Sequence, residues 1–240
     1  MNRQAQAAVL FLTGAALLHA GVTDLYLRYV KAGLRPLLLL SGTVLIATAL
    51  ATAWYEHRAA RAADPAHDDV RHREPRVSWL LTLPLFALIL VAPPALGSYS
   101  AMRTGTALQQ PYGYDTLPAK GPLRLSLVDY ATRAVYGHGR AIEGRPLKIT
   151  GFVALDHTGR PYLVRMALNC CAADAQPVKI ALTGKIPPVL RTDTWLEVSG
   201  RYTPRTTKDP VNGGPIPYVE VTGARPIPTP TDPYDETWNN

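Results

Sequence analysis

Three long apolar stretches open the chain, at residues 5–27, 36–55 and 77–99. Each has the length a membrane-crossing helix requires, roughly twenty predominantly apolar residues. They predict three spans. A cleavable leader is the alternative for the first stretch. Its basic start is only Arg3, no clear small-x-small site precedes a mature domain, and a second apolar stretch follows at once; a retained anchor is therefore expected. In the third stretch, Pro84 predicts a kink and Pro93-Pro94 an end, since membrane helices tolerate proline.

Beyond residue 99 the pattern changes. A linker rich in Gly, Pro and polar residues runs to residue 122. Ser126 then precedes a helical spacing, in which Leu127, Val128, Ala131, Ala134 and Val135 share a face and Ser126 with Asp129 fits a capping box; Gly137 and Gly139 end it. Five short apolar runs follow, at 148–155, 161–168, 178–183, 195–202 and 218–223. The turn Asp156-His157-Thr158-Gly159 joins the first two as a hairpin. The expectation is an α-helical membrane anchor of three spans (residues 1–99), a linker (100–122) and a mainly β soluble domain (123–226). That domain is read as an OB-like small barrel with one preceding helix, and the proline-punctuated tail (227–240) as flexible.

Charge adds orientation. The formal net charge of +7 comes largely from arginines beside the apolar stretches, and those of the second half are dispersed, so the balance by itself does not point to nucleic acid. Arg3, Arg58, Arg61, Arg71, Arg73 and Arg76 flank one face; Arg28, Lys31, Arg35 and Arg103 flank the other. Excess basic residues mark the cytoplasmic face. This puts the N-terminus and second loop inside and the C-terminal domain outside, a multi-pass membrane protein whose cysteines meet an oxidising compartment.

Several side chains suggest chemistry. The second loop (56–76) holds His57, His67 and His72 with Asp68 and Asp69, a weak divalent-metal cluster or simply a solvated loop. His19 and Asp24 are ionisable groups in or near the first span, where such groups are expensive. Arg28, one helical turn beyond Asp24, is its expected partner. Phe152, Tyr162, Trp195 and Tyr202 lie on the predicted strands, where they serve either a small core or, in an oligonucleotide-binding barrel, base stacking; a tethered domain outside the cell favours the core. Most unusual is Asn169-Cys170-Cys171-Ala172-Ala173-Asp174-Ala175, which contains the chain's two cysteines. Three readings stand. Neighbouring cysteines can close a strained, reducible disulfide. With Asp174 one turn on they can offer three ligands to zinc or another divalent metal, the fourth coming from His138, His157, water or a partner chain. Or they can be small half-buried residues at a barrel corner. No base or oxyanion donor is recognisable beside them, so a cysteine hydrolase is not expected.

These blocks resemble the YcgQ-like family of bacterial membrane proteins, grouped as subunits of two-component permeases. The resemblance spans nearly the whole chain: Arg35-Pro36-Leu37-Leu38-Leu39-Leu40-Ser41-Gly42, the third stretch from Trp79 to Pro93-Pro94-Ala95-Leu96-Gly97, and Gly144-Arg145-Pro146-Leu147-Lys148-Ile149-Thr150-Gly151-Phe152-Val153. Arg165 followed by Cys170-Cys171-Ala172-Ala173-Asp174-Ala175 is its most specific part, and Trp195-Leu196-Glu197-Val198-Ser199-Gly200 also fits. The resemblance implies a non-enzymatic accessory subunit beside a multi-span membrane permease, with no catalytic residues, and a link to metal homeostasis. The family's second loop is often richer in histidine than this one. The rival expectation is a metal-binding or redox-handling membrane protein using Cys170, Cys171 and Asp174.

Overall fold

A computed structural model describes residues 3–62, 80, 82–91 and 93–236. The chain divides into two compact units, one of residues 1–26 and 32–94 and one of residues 27–31 and 95–240.

In the first unit, α1 (Arg3–Val22) and α2 (Arg35–Ala62) are each long and apolar enough to cross a membrane. Their threonines do not break the apolar surface. Thr13, Thr43, Thr48 and Thr52 each return the hydroxyl to the carbonyl four residues earlier, at 2.8 Å, so the polar group is satisfied within its own helix. The two helices meet through glycine. A Cβ on Gly14 would stand 2.8 Å from the Gly42 carbonyl oxygen, and one on Gly42 2.9 Å from Leu18, the close approach typical of helix pairs in lipid. Asp24, with φ of 54°, lies beyond the end of α1. Because the helix has stopped, Arg28 is not its partner; Arg35 is, with Nη1 3.9 Å from the carboxylate and Nε donating to the Gly21 carbonyl at 2.9 Å.

The third predicted span is described only in part, since residues 77–79, 81 and 92 lie outside the described residues. Among the described residues it supplies only α3 (Thr82–Leu90), nine residues or about 14 Å of helix, short of the roughly 30 Å hydrocarbon layer. Its expected end belongs to the second unit: α4 (Ser98–Arg103) begins there, with the Ser98 amide and hydroxyl both donating to Asp193.

The second unit is a closed five-strand barrel with extra strands. Its elements are β1 (Leu123–Leu125), α5 (Leu127–Val135), β2 (Leu147–Leu155), β3 (Pro161–Leu168), β4 (Gln176–Gly184), β5 (Trp195–Lys208), β6 (Pro215–Pro226) and β7 (Tyr234–Glu236). The sheet runs β1-β2-β5-β6-β4-β3-β7, and β2 also pairs with β3, which closes the ring. All pairs within the ring are antiparallel except β4 with β6. Gly151 and Gly200 permit tight packing between strands: a Cβ on either would fall 2.8 Å or less from a neighbouring carbonyl oxygen.

Alternate residues of the same strands feed two cores. Inside the ring, Ile149, Val153, Leu163, Ile180, Val198 and Val219 pack beneath α5, whose Ser126 hydroxyl accepts the Asp129 amide at 3.0 Å as the sequence predicts. Outside it, Phe152, Tyr162, Val164, Met166, Ala181 and Trp195 pack with Ala101 of α4 and Tyr234 of β7. Hence neither the expected linker nor the expected tail is a loose segment throughout. Ala101, Thr106 and Leu108 are buried. β7 pairs in parallel with β3, so the flexible-tail expectation fails for residues 234–236.

The outer layer is fastened by two buried ion pairs. Lys179 Nζ lies 2.7 Å from Asp209 Oδ2 and donates to the Thr104 carbonyl at 2.8 Å, while the Thr106 and Val211 amides donate to the same carboxylate. Arg165 Nε lies 3.0 Å from Asp235 Oδ1, its Nη2 donates to the Asp232 and Tyr234 carbonyls, and the guanidinium lies over Trp195. Asp235 also accepts the Val128 amide at the start of α5.

Candidate functional site

Strand β3 ends at Leu168, and the chain turns through Asn169-Cys170-Cys171-Ala172-Ala173-Asp174 before β4. Asp174 holds the turn. Its two carboxylate oxygens accept the Asn169 amide at 3.0 Å and the Cys170 amide at 2.9 Å. In an extended strand neighbouring side chains point to opposite faces; the turn brings the two sulfurs to 3.6 Å of each other. Both cysteines are free thiols, Cys170 exposed and Cys171 half-buried. The ligand atoms of Cys170, Cys171 and Asp174 all lie within 4.8 Å of one another.

Electrostatics keep the proton on sulfur. The hydrogen bond to Asp174, with the contact to Cys171 next in weight, pushes the Cys170 thiol up to about 12. At Asp174 burial acts upward, but the Cys170 thiol and the Asn169, Cys170 and Cys171 amides outweigh it and hold the carboxyl below its ordinary range.

The segment between α1 and α2 joins this turn. Val30 forms an antiparallel bridge with Cys171, the Lys31 amide donates to the Cys170 carbonyl at 3.1 Å, and the Ala172 amide donates to the Tyr29 carbonyl at 2.7 Å. Next to it, the Tyr234 hydroxyl donates to the Arg28 carbonyl at 3.0 Å and accepts the Leu96 amide at 3.1 Å. Arg28 and Lys31 figure in the sequence only as charges, and nothing there points to pairing of residues 28–31 with the cysteine turn. The strand-prone Tyr29-Val30 pair was the available signal, masked by its position in a short connection between apolar helices.

The other predicted residues fall elsewhere. Arg165 is not a member of the cysteine cluster but the buried partner of Asp235. Among the described residues neither His138 nor His157 supplies a fourth ligand to the group. Phe152 and Trp195 meet edge to face at 5.6 Å in the outer core, and Tyr162 is buried beside them; Tyr202 is half-buried against the inner core. These four are core residues. His19 is exposed on α1, and its carbonyl accepts the Thr23 hydroxyl. His57 is exposed on α2, whereas His67, Asp68, Asp69 and His72 lie outside the described residues.

No curated protein and no solved structure matched the chain. Residues 117–235, which contain the whole barrel and the cysteine turn, match the family model of the DUF1980 C-terminal domain.

Proposed function

We propose that this protein is a non-enzymatic accessory subunit of a bacterial membrane permease complex, its barrel, of the OB-like kind, binding or gating at the outer face. The observation that carries the reading is the apolar surface of α1 and α2. Phe11, Leu37, Leu40, Val44, Leu50 and Trp54 are exposed in the single chain. Two helices fastened by glycine leave no room for a substrate path between them, so a transport role needs further helices from a partner. The segment 27–31 bears on topology. It is paired with the barrel, so it shares the barrel's side of the membrane. If α1 and α2 both cross, the chain leaves that side along α2 and must return before residue 95. A third crossing that begins near residue 77 and ends by residue 94 would satisfy this, and the arginine distribution favours the outer face for the barrel. Purification from native membranes in mild detergent, followed by mass spectrometry, tests the reading. A multi-span permease in stoichiometric amount is expected; a chain that emerges alone would overturn it.

A second reading is favoured by the convergence of Cys170, Cys171 and Asp174, which suits a metal-binding or redox-handling protein acting through those three groups. Zinc is the metal their chemistry fits best, since thiolate with carboxylate suits a borderline-soft cation. Replacing both cysteines with serine, with unchanged metal content and unchanged transport phenotype, would remove it.

A further inference from the structure

The two sulfurs already have the span of a chelate. With both at the usual zinc–sulfur distance of about 2.3 Å, their 3.6 Å separation subtends roughly 103° at the metal, close to tetrahedral. The carboxylate of Asp174 sits on the same turn, within 4.8 Å of both. Three ligands from one exposed turn leave a fourth position for water or an incoming donor, the arrangement of a site that exchanges its metal and not of a closed structural one.

What holds this turn in the chelating shape is partly outside it. The backbone of the residues that carry the sulfurs is paired with residues 29–31: the Lys31 amide on the Cys170 carbonyl, the Ala172 amide on the Tyr29 carbonyl, and Val30 opposite Cys171. Taking up a divalent cation across both sulfurs fixes the relative rotation of neighbouring residues 170 and 171, and with it the direction of the carbonyl that Lys31 uses. We infer that Cys170, Cys171 and Asp174 form an exchange site for a thiophilic divalent cation of the zinc class, and that its occupancy is coupled to docking of the segment joining α1 and α2. The inference rests on the metal-binding reading and adds the element that the metal controls. Coupling is reciprocal: whatever the docked segment adds to metal affinity, bound metal adds to docking.

The probe is Cd²⁺, with Zn²⁺ as competitor, added to the full-length protein in detergent and followed by the ultraviolet sulfur-to-metal charge-transfer band. Wild type is expected to bind one ion per chain, and the Cys170→Ser/Cys171→Ser variant to lose the band. Lys31→Pro removes the donor to the Cys170 carbonyl and is expected to weaken binding about tenfold, within the 5–150-fold range of ordinary couplings. In wild type, Cd²⁺ is expected to slow hydrogen exchange at the Lys31 amide, an effect absent from the double serine variant; this readout does not depend on Lys31→Pro folding. A wild type without the band would overturn the metal site itself. A normal band with unchanged Lys31→Pro affinity and unchanged exchange would overturn the coupling alone.

Discussion

Replacing Asp209 with alanine gives the sharpest test of how the outer layer of the barrel is held. Asp209 and Lys179 have side chains 0% and 1% exposed, with Nζ and Oδ2 2.7 Å apart. Deleting the carboxylate leaves a buried ammonium with the Thr104 carbonyl alone, and it strands the Thr106 and Val211 amides. Removing one partner of a buried pair costs roughly 3–5 kcal/mol, because the remaining charge stays desolvated. Whole domains are stable by only about 5–15 kcal/mol. The expected outcome is a fall of roughly 10–15 °C in the melting temperature of the barrel, followed by near-ultraviolet circular dichroism of the full chain in detergent. A double-mutant cycle isolates the pair. Lys179→Met combined with Asp209→Asn removes both charges while keeping an acceptor for one of the two amides, so it should cost at least about 1 kcal/mol less than the sum of the single changes. A loss below about 1 kcal/mol for Asp209→Ala, the range of exposed pairs, would refute the reasoning.

Other consequences follow from the same geometry. Arg165→Met leaves the Asp235 carboxylate, whose pKa burial already pushes upward, without its guanidinium; a loss of about 3 kcal/mol and earlier proteolysis near residues 232–236 are expected, and unchanged proteolysis would count against it. Tyr234→Phe removes the hydroxyl shared by Leu96 and Arg28, and should destabilise by about 1–3 kcal/mol and speed amide exchange at Leu96. Burial raises the Asp156 carboxyl, but hydrogen bonds from Thr158 and Arg160 outweigh it and bring it to about 2. Its folded value therefore lies below the unfolded one of about 3.9, so its contribution is fully present above that value and is lost as pH falls through about 2. Asp156→Asn should flatten the acid limb of the stability profile, and an unaltered limb would refute this. Gly14→Leu would drive a side chain into the Gly42 backbone, and should abolish cross-linking between cysteines placed on facing positions of α1 and α2.

The barrel was legible because its strands carry a local signal: apolar runs of six or eight residues, separated by turn residues, and a capping serine ahead of the amphipathic α5. The outer layer was less so. The burial of β3 and β4 on both faces, with Lys179 and Arg165 enclosed, depends on partners thirty and seventy residues away, Asp209 and Asp235, which no window of sequence brings together. Proline and acidic residues made the tail look loose, yet Tyr234 and Asp235 have specific places to go. The cysteine turn announced itself by composition, and Asp174 was expected to reach it by helical spacing; it does so by holding the turn's amides. His138 and His157 do not join the cysteine turn, since spacing in sequence alone does not tell a ligand from a solvated residue. The pairing of Asp24 was misread because helix continuation was assumed past Val22.

The bridge between Val30 and Cys171 also sets an order for biogenesis. Its first partner is synthesised some 140 residues before its second. At about 5–20 residues per second, the strand-prone segment between the first two helices waits roughly seven to thirty seconds for the barrel turn that will cover it. Throughout that interval its backbone lacks the cysteine-turn partners that it later finds. Assembly of the barrel is then the event that closes a loop left open since the first helix, so a fault in folding at the C-terminal end is registered at the connection between the first two helices.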